Sequence, residues 1–383
     1  MLYVVTPASQ KYRQMSIDDL WFGDDDAEYG GLITNNKSNT VTRCVSRVPK
    51  EIRKNVSQRV YQIAVRLAQF NSNHKNLLEA DRHSLYRTFH VPKSSGGLRR
   101  IDAPNDELMN ALRELKTIFE SECGADYLYH TSAFAYIHNR NTIECVKRHQ
   151  TNKSKWFGKF DLHNFFGSTT IDFIITMFRQ IYPFAILLRT TTGESALRDA
   201  LELCCLDGVL PQGTPMSPML TNIMMIPIDF EISKKLRELG MVYTRYADDF
   251  LISSRNPFRF KDVEEIIVSI LNQFGAPFQL NTKKTRYGSS SGANWNFGIM
   301  LNKDNQMTIG RSKKRQFESM LTAYAKNKKA GINWSLEDVQ HLDGLRAYYK
   351  AIEGETIDRI VNHISTKHGI DIRRCIKDDL RNM

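Results

Sequence analysis

The stretch Tyr243-Thr244-Arg245-Tyr246-Ala247-Asp248-Asp249-Phe250-Leu251-Ile252-Ser253 sets two adjacent carboxylates between two runs of β-favouring residues. Tyr243 and Tyr246 before the pair, and Phe250, Leu251 and Ile252 after it, have the aromatic and β-branched character of short strands, which puts the acidic pair at the tip of a hairpin. Neighbouring like charges repel, so such a pair is favourable only where water or a cation neutralises it. Taken alone, Asp248-Asp249 reads as a solvated acidic turn. The metal-binding alternative depends on partners elsewhere in the chain.

The chain has 383 residues, 41% hydrophobic and 25% charged, which suits two or three packed subdomains and not a disordered segment. A net charge of +11 favours a polyanionic partner, nucleic acid or an anionic membrane surface. No apolar run reaches the roughly 18 residues of a membrane span, and Met1 to Gln10 lacks the pattern of a signal peptide, so a cytoplasmic protein without membrane contact is expected. The six cysteines, Cys44, Cys123, Cys145, Cys204, Cys205 and Cys375, show no Cys-x-x-Cys spacing, and neither a zinc site nor a disulfide framework is expected.

Working outward, residues 1–55 carry acidic patches (Asp18-Asp19 and Asp24-Asp25-Asp26) and polar residues from Thr34 to Asn39 without clear periodicity. From Ser57, Val60, Ile63, Ala64, Leu67 and Ala68 follow helical spacing. Phe89 to Ile101 reads as two strands around Gly96-Gly97, with Lys93 and Arg99 able to face an anion, and Asp102-Ala103-Pro104 is expected to break the second strand. Leu108, Ala111, Leu112, Leu115 and Phe119 predict an amphipathic helix. Ser132 to Gln150 interleaves Phe134 and Tyr136 with Arg140, Lys147, Arg148 and His149, a pattern that can stack on bases and pair with phosphates.

Trp156 to Leu162 reads as a strand ending in Asp161, followed by Phe165-Phe166. Leu210 to Pro218 is a rigid polar loop in which Gly213 permits close backbone approach and Gln212 offers both donor and acceptor. Met219 to Ile232 is apolar enough for one buried helix, and Val263 to Phe274 marks another amphipathic helix. Leu280 to Thr285 is a basic loop. Asn296 to Leu301 reads as a strand containing Gly298. Arg311, Lys313, Lys314, Arg315, Lys326, Lys328 and Lys329 then make the chain strongly basic, and Ser335 with Asp338 opens a helix. These basic residues suit a duplex clamp or a solvated helix face equally.

The order of these motifs resembles that of reverse transcriptases, and among them the prokaryotic group of retron, group II intron and defence-associated enzymes. The resemblance runs from about Phe89 to Gly310. It rests on Tyr246-Ala247-Asp248-Asp249, on Pro211-Gln212-Gly213 with Ser217-Pro218, and on Phe160-Asp161 with Phe165-Phe166. It implies an α+β right-hand polymerase: fingers, a palm of antiparallel sheet backed by helices, and a helical thumb. The corresponding divisions are a family-specific extension (1–55), fingers (56–150), palm with some fingers elements (151–300) and a basic thumb (301–383).

The same resemblance implies an RNA-directed DNA polymerase with Asp161, Asp248 and Asp249 as its catalytic carboxylates. Asp161 and Asp248 would bind two divalent cations about 3.5 to 4 Å apart, Mg²⁺ or alternatively Mn²⁺, with Asp249 as a lesser ligand. Leu162 joins the metal set through its backbone, its amide being a further triphosphate contact. Lys93, Arg99 and Lys284 would hold the triphosphate, Phe166 would exclude a 2′-hydroxyl, and Gln212 and Gly213 would line the nucleotide pocket. Phe297 and Gly298 resemble the primer grip.

The implied partners are a noncoding RNA template, an RNA–DNA duplex, deoxynucleoside triphosphates, and an accessory defence protein or second copy. Departures narrow the choice within the group. Where retron enzymes carry Asn-Ala-x-x-His, this chain reads Cys145-Val146-Lys147-Arg148-His149; it has no Val-Thr-Gly, and Gly167-Ser168 departs from the usual continuation. A stand-alone defence-associated enzyme is therefore favoured. The alternatives are a retron enzyme making RNA-linked DNA, untemplated or protein-primed synthesis, and a nucleic-acid-binding protein that kept the fold without the activity.

Overall fold

The computed structural model describes residues 2–5, 12–15, 50–93, 96–123, 128–292 and 296–382. The acidic patches from Asp18 to Asp26, the polar residues Thr34 to Asn39, Cys44 and Ser94-Ser95 lie outside the described residues. The chain opens with β1 (Leu2–Val5) paired antiparallel to β2 (Tyr12–Met15), then α1 (Lys50–Asn73), β3 (Tyr86–Pro92), β4 (Leu98–Pro104) and α2 (Asp106–Cys123). Next come α3 (Thr142–Thr151), β5 (Trp156–Asp161), α4 (Ile171–Phe178), α5 (Thr191–Glu202), α6 (Met216–Met224) and α7 (Ile226–Glu238). The hairpin strands β6 (Met241–Tyr246) and β7 (Asp249–Ser254) precede α8 (Phe260–Gln273) and β8 (Arg286–Ser289). The short strands β9 (Met300–Leu301) and β10 (Met307–Thr308) lead into α9 (Gly310–Lys329), α10 (Leu336–His368) and α11 (Ile372–Asn382). This is an α+β chain, and among the described residues no helix is long and apolar enough to cross a membrane.

The chain divides into two compact units: Met1–Arg140 with Phe160–Leu251 and Arg259–Thr285, and Asn141–Lys159 with Ile252–Phe258 and Arg286–Met383. In the first unit, α1 packs on α2 and α5, and α6 packs on α2 and α4. Leu67, Leu112, Leu115, Leu220 and Ile223 are fully buried there, as the helical periodicity of α1 and α2 requires. β3 and β4 form a seven-residue ladder from Tyr86↔Pro104 to Pro92↔Leu98. The strand is therefore not broken at Asp102. That carboxylate accepts from Thr88 Oγ1 (2.7 Å) and Arg100 Nε (2.8 Å), and Pro104 sits at the last pair, where a missing N–H is tolerated.

Two further sequence readings are corrected. The helix expected from Ser57 begins at Lys50: Ile52 and Val56 extend the spacing of Val60 two turns further back, among charged and polar residues that mask it. The single helix expected from Met219 to Ile232 is two, α6 and α7, divided at Met225; Pro227 lacks the N–H a continuous helix needs and instead occupies the first turn of α7.

In the second unit, the first four residues of β5 pair antiparallel with β8, from Trp156↔Ser289 to Lys159↔Arg286. His149 on α3 is completely buried; its Nδ1 lies 2.6 Å from Ser253 Oγ, which in turn bonds Ser154 Oγ at 2.7 Å. Burial, with the Arg148 charge added, pushes the imidazole down to about 3. The basic residues from Arg311 to Lys329 fall on α9, which packs on α10 through Phe317 and Tyr349 (5.5 Å). Ser335 caps α10 by accepting from the Asp338 amide at 3.1 Å. That helix is interrupted at Glu353 (φ −135°, ψ 57°), whose carboxylate accepts from the Ile309 amide (2.9 Å) and Lys314 Nζ (2.7 Å).

Asn296 to Leu301 is a tight turn followed by a two-residue strand, not one strand. Asn296 and Ile299 exchange both backbone hydrogen bonds (2.7 and 3.0 Å), leaving Phe297 (φ 56°) and Gly298 (φ 85°) as the two central residues. Two consecutive positive φ values make this a type I′ connection, which an extended strand excludes. Lys313 Nζ donates to the Gly298 carbonyl at 2.9 Å, and Lys159 Nζ lies 5.6 Å from the Phe297 ring centre.

Candidate active site

β6 and β7 are hydrogen-bonded neighbours, and the turn between them holds Ala247 at φ 58°. The left-handed region is unfavourable for alanine by about 1 kcal/mol or more, so the turn needs support. Arg245 provides it. The guanidinium is completely buried; Nη1 donates to the Ala247 carbonyl (3.1 Å) and to Asn222 Oδ1 (3.0 Å), while Nε and Nη2 grip the Asp229 carboxylate at 2.9 and 2.7 Å. Tyr243 Oη donates to the same carboxylate at 2.7 Å. Burial opposes the charge on Arg245, but Asp229 outweighs it and holds the guanidinium above its ordinary value; burial pushes the Tyr243 hydroxyl up.

Asp161 ends β5 and is 4% exposed. The next residue ties it to the hairpin, since the Leu162 amide donates to the Asp248 carbonyl at 3.0 Å. That bond corrects the expectation for Leu162: its amide is committed to Asp248 and not to a triphosphate, leaving its carbonyl as the group able to face a cation. From the other side, the Asn281 amide donates to the Asp161 carbonyl (2.7 Å), and Lys284 Nζ lies 2.9 Å from Asp161 Oδ1. The hydrogen bond to Asp161 raises the Lys284 ammonium above its ordinary value against some desolvation, with the charges of Asp161, Asp248 and Asp249 adding to it. One lysine thus senses all three carboxylates, and its ammonium serves as the counter-charge of Asp161.

Gln212 and Gly213 dock against the base of the basic hairpin. The Asp102 amide donates to the Gln212 carbonyl at 2.7 Å. Gly213 lies at φ 127°, where a Cβ would come within 2.8 Å of the Asp102 carbonyl oxygen, so the position requires glycine. Ser217 Oγ donates to the Pro211 carbonyl (2.7 Å) and fixes the loop onto α6. Lys93 and Arg99 are exposed at the hairpin tip, where Gly96 and Gly97 supply positive φ values. Phe166 is half-buried in a single 3₁₀ turn, its ring 5.7 Å from that of Phe165, which packs on Phe278 at 5.0 Å. The structure thus gathers Asp161, Leu162, Asp248, Asp249 and Lys284 together, and fastens Gln212 and Gly213 to the strand that carries Arg99. Phe297 and Gly298 form the turn of the second unit described above.

Two residues of this neighbourhood carried no role in the sequence reading, and a third, Tyr136, was read only as one of the aromatics able to stack on a base. Asp229 and Asn222 sit on separate helices, and only folding reveals them as partners of Arg245. Tyr136 had a weak signal as one aromatic among basic residues. Its hydroxyl is raised by desolvation and then by the Asp248 carboxylate, while Arg99 lowers it.

The donor set fits a hard divalent cation. Asp161 Oδ2 is buried and has no hydrogen-bond partner, which for a carboxylate oxygen is unfavourable unless a cation neutralises it. Among the described residues no three His, Cys, Asp or Glu side chains form a closed metal cage. One or two carboxylates completed by substrate and water oxygens is the usual holding of Mg²⁺.

A family model described as reverse transcriptase (RNA-dependent DNA polymerase) matches residues 91–319, more than half of the chain. Retron Ec83 reverse transcriptase of Escherichia coli is 27% identical over 301 residues, covering 74% of this chain and 88% of that protein. Retron Ec73 reverse transcriptase of the same species is 28% identical over 274 residues, with 69% and 82% covered. Retron Mx65 reverse transcriptase of Myxococcus xanthus is 28% identical over 292 residues, with 72% and 63% covered. Among solved structures, telomerase from Candida albicans aligns with a TM-score of 0.43 at 11% identity, over 79% of this chain and 58% of that one. The chain belongs to the reverse transcriptase family, as a prokaryotic, retron-like RNA-directed DNA polymerase.

Proposed function

We propose that this reverse transcriptase copies a structured noncoding RNA into DNA in the bacterial cytoplasm, in the service of antiphage defence. The observation that carries the catalytic part is the buried, unmatched Oδ2 of Asp161, on a residue whose neighbour Leu162 is bonded to the Asp248 carbonyl. Asp161 and Asp248 would hold two Mg²⁺ ions, with the Leu162 carbonyl and Asp249 in support. Bound there, the cations supply positive charge that favours the ionised primer 3′-oxygen and the leaving pyrophosphate.

The protein's own groups do the positioning. Lys93 and Arg99 neutralise triphosphate charge from the hairpin, and Lys284 adds positive charge beside Asp161. Gln212 and Gly213 form the wall of the nucleotide pocket. The half-buried Phe166 ring occupies the space a ribose 2′-hydroxyl needs and so favours deoxynucleotides. Phe297 and Gly298 would hold the primer strand, with the basic face of α9 beside the duplex backbone as part of a thumb.

Purified protein supplied with an annealed RNA template, primer, deoxynucleotides and Mg²⁺ should extend the primer, and Asp248→Ala and Asp249→Ala should each abolish extension. Synthesis persisting in both variants would sink the assignment. A second reading, a retron enzyme whose DNA stays linked to its RNA, is favoured by the retron relatives. The departures at Cys145 to His149 and the missing Val-Thr-Gly weigh against it. Sequencing the nucleic acid that copurifies separates the two, because only the retron product carries an RNA–DNA junction.

A further inference from the structure

We propose that Tyr136 is a substrate-contacting residue of this polymerase, its ring a stacking platform for a nucleobase beside Asp248. The inference rests on the polymerase reading of the Asp161–Asp248 site and adds a residue to it.

The argument starts from register. Ala133 forms a parallel bridge with Arg245; the Arg245 amide donates to the Ser132 carbonyl (2.6 Å) and the Phe134 amide to the Arg245 carbonyl (2.8 Å). Tyr136 and Asp248 each follow that bridge by three residues, both in turns. One side-chain pair then fixes both ends. Arg245 Nη1 donates to the carbonyl of Ala247, just before Asp248, and to Asn222 Oδ1; Asn222 Nδ2 donates to the carbonyl of Ala135, just before Tyr136, at 2.8 Å.

The two turns thus held share a further feature. Ala247 (φ 58°) and Tyr136 (φ 61°) both lie in the left-handed region, an unfavourable conformation for residues with a side chain, and one that recurs where function over-determines the backbone. Arg140 braces the same loop from behind, donating to the His130 and Ala133 carbonyls at 2.7 and 2.8 Å.

On this backbone, anchored at Ala135, Tyr136 is 62% exposed, while its neighbours Phe134 and Ala135 are buried at 4% and 0%. Burial raises its hydroxyl first, and the Asp248 carboxylate adds to that while the Arg99 charge opposes it. An exposed aromatic face on a turn tied to the one that carries Asp248 suits the base of a nucleotide better than a protein side chain. The base can belong to the incoming deoxynucleotide or to the template–primer end.

The test uses the full chain with an annealed RNA template and DNA primer. It measures the KM for deoxynucleotide and the dissociation constant for template–primer in Tyr136→Ala and Tyr136→Phe, with thermal stability followed in parallel. Tyr136→Ala should raise one of the two constants about tenfold, the size of one lost base–aromatic stack, without lowering the melting temperature. Tyr136→Phe should regain most of that loss. A raised KM identifies the incoming nucleotide as the source of the base, and a raised dissociation constant identifies the strand end. If both constants stay at their wild-type values in Tyr136→Ala, or if Tyr136→Phe is as defective as alanine, the stacking role is overturned. Asp248→Ala run alongside separates the causes: lost synthesis there with an unaffected Tyr136→Ala removes this inference alone, whereas synthesis surviving Asp248→Ala removes the polymerase reading itself.

Discussion

Among the described residues each unit buries one basic side chain completely, Arg245 in the first and His149 in the second, and the two end in opposite charge states. Arg245 faces the Asp229 carboxylate with two donor atoms and stays charged; His149 faces the hydroxyl of Ser253, with Arg148 adding like charge, and stays neutral. Burial is common to both, so burial does not decide the outcome; the partner does. The consequence differs too. The charged residue holds the carbonyl before Asp248 in the acidic turn, whereas the neutral one fastens α3 to the end of β7.

The largest expected break in this comparison is Arg245→Ala, which strands a buried Asp229 carboxylate and should destabilise the protein by about 3–5 kcal/mol, read by urea denaturation. Replacing both partners with apolar residues, Arg245→Met with Asp229→Leu, should recover most of that stability. It should not restore primer extension, because the Ala247 carbonyl still lacks its donor. Full activity in the double variant would show that the acidic turn needs no clamp.

The second break is one of pH. The folded state keeps His149 neutral down to about 3, while the unfolded chain protonates it near 6.5, so its contribution is complete above 6.5 and declines as pH falls towards 3. The slope should be about 1.4 kcal/mol per pH unit inside that window. His149→Gln should remove this part of the slope in thermal melts between pH 4 and pH 7, where Arg245 contributes none. An unchanged slope would mean that other groups carry the acid sensitivity.

The smallest effect is expected at the Phe297–Gly298 turn, which is held by a half-exposed lysine in place of a buried arginine. Lys313→Met removes one hydrogen bond to the Gly298 carbonyl and should cost about 1 kcal/mol. A loss as large as that of Arg245→Ala would erase the distinction between the two kinds of support.

The parts legible in the sequence were those whose chemistry is local. Two carboxylates at a hairpin tip, a glycine that must approach backbone, and helices with a clear apolar period all announce themselves within a dozen residues. Asp229 does not, because a lone carboxylate on a helix looks like any solvated residue until Arg245 is folded against it. Lys284 was legible as a cation near phosphates, yet its hydrogen bond to Asp161 depends on a loop meeting a strand end far away in sequence. Asn296 to Leu301 misled because its apolar residues suit a strand, while the positive φ at Phe297, a residue that seldom adopts it, is invisible in composition. The departures at Cys145 and Val146 were legible only as missing motif residues; the structure gives the retained His149 a packing role of its own.

The docking of Gly213 under β4 has a mechanical side. With the Asp102 amide bonded to Gln212 and no side chain on Gly213 to space the contact, the β3–β4 hairpin is anchored near its base, the point about which any tilt of it would turn. Arg99 sits three residues from it, about 10 Å along the strand. A lever of that length, stiffened by a full ladder of pairs, converts a tilt of about 10° at the pivot into a swing of about 2 Å at the arginine. If Arg99 holds a triphosphate as proposed, its reach towards a phosphate would be set at Gly213, a residue with no side chain to touch it.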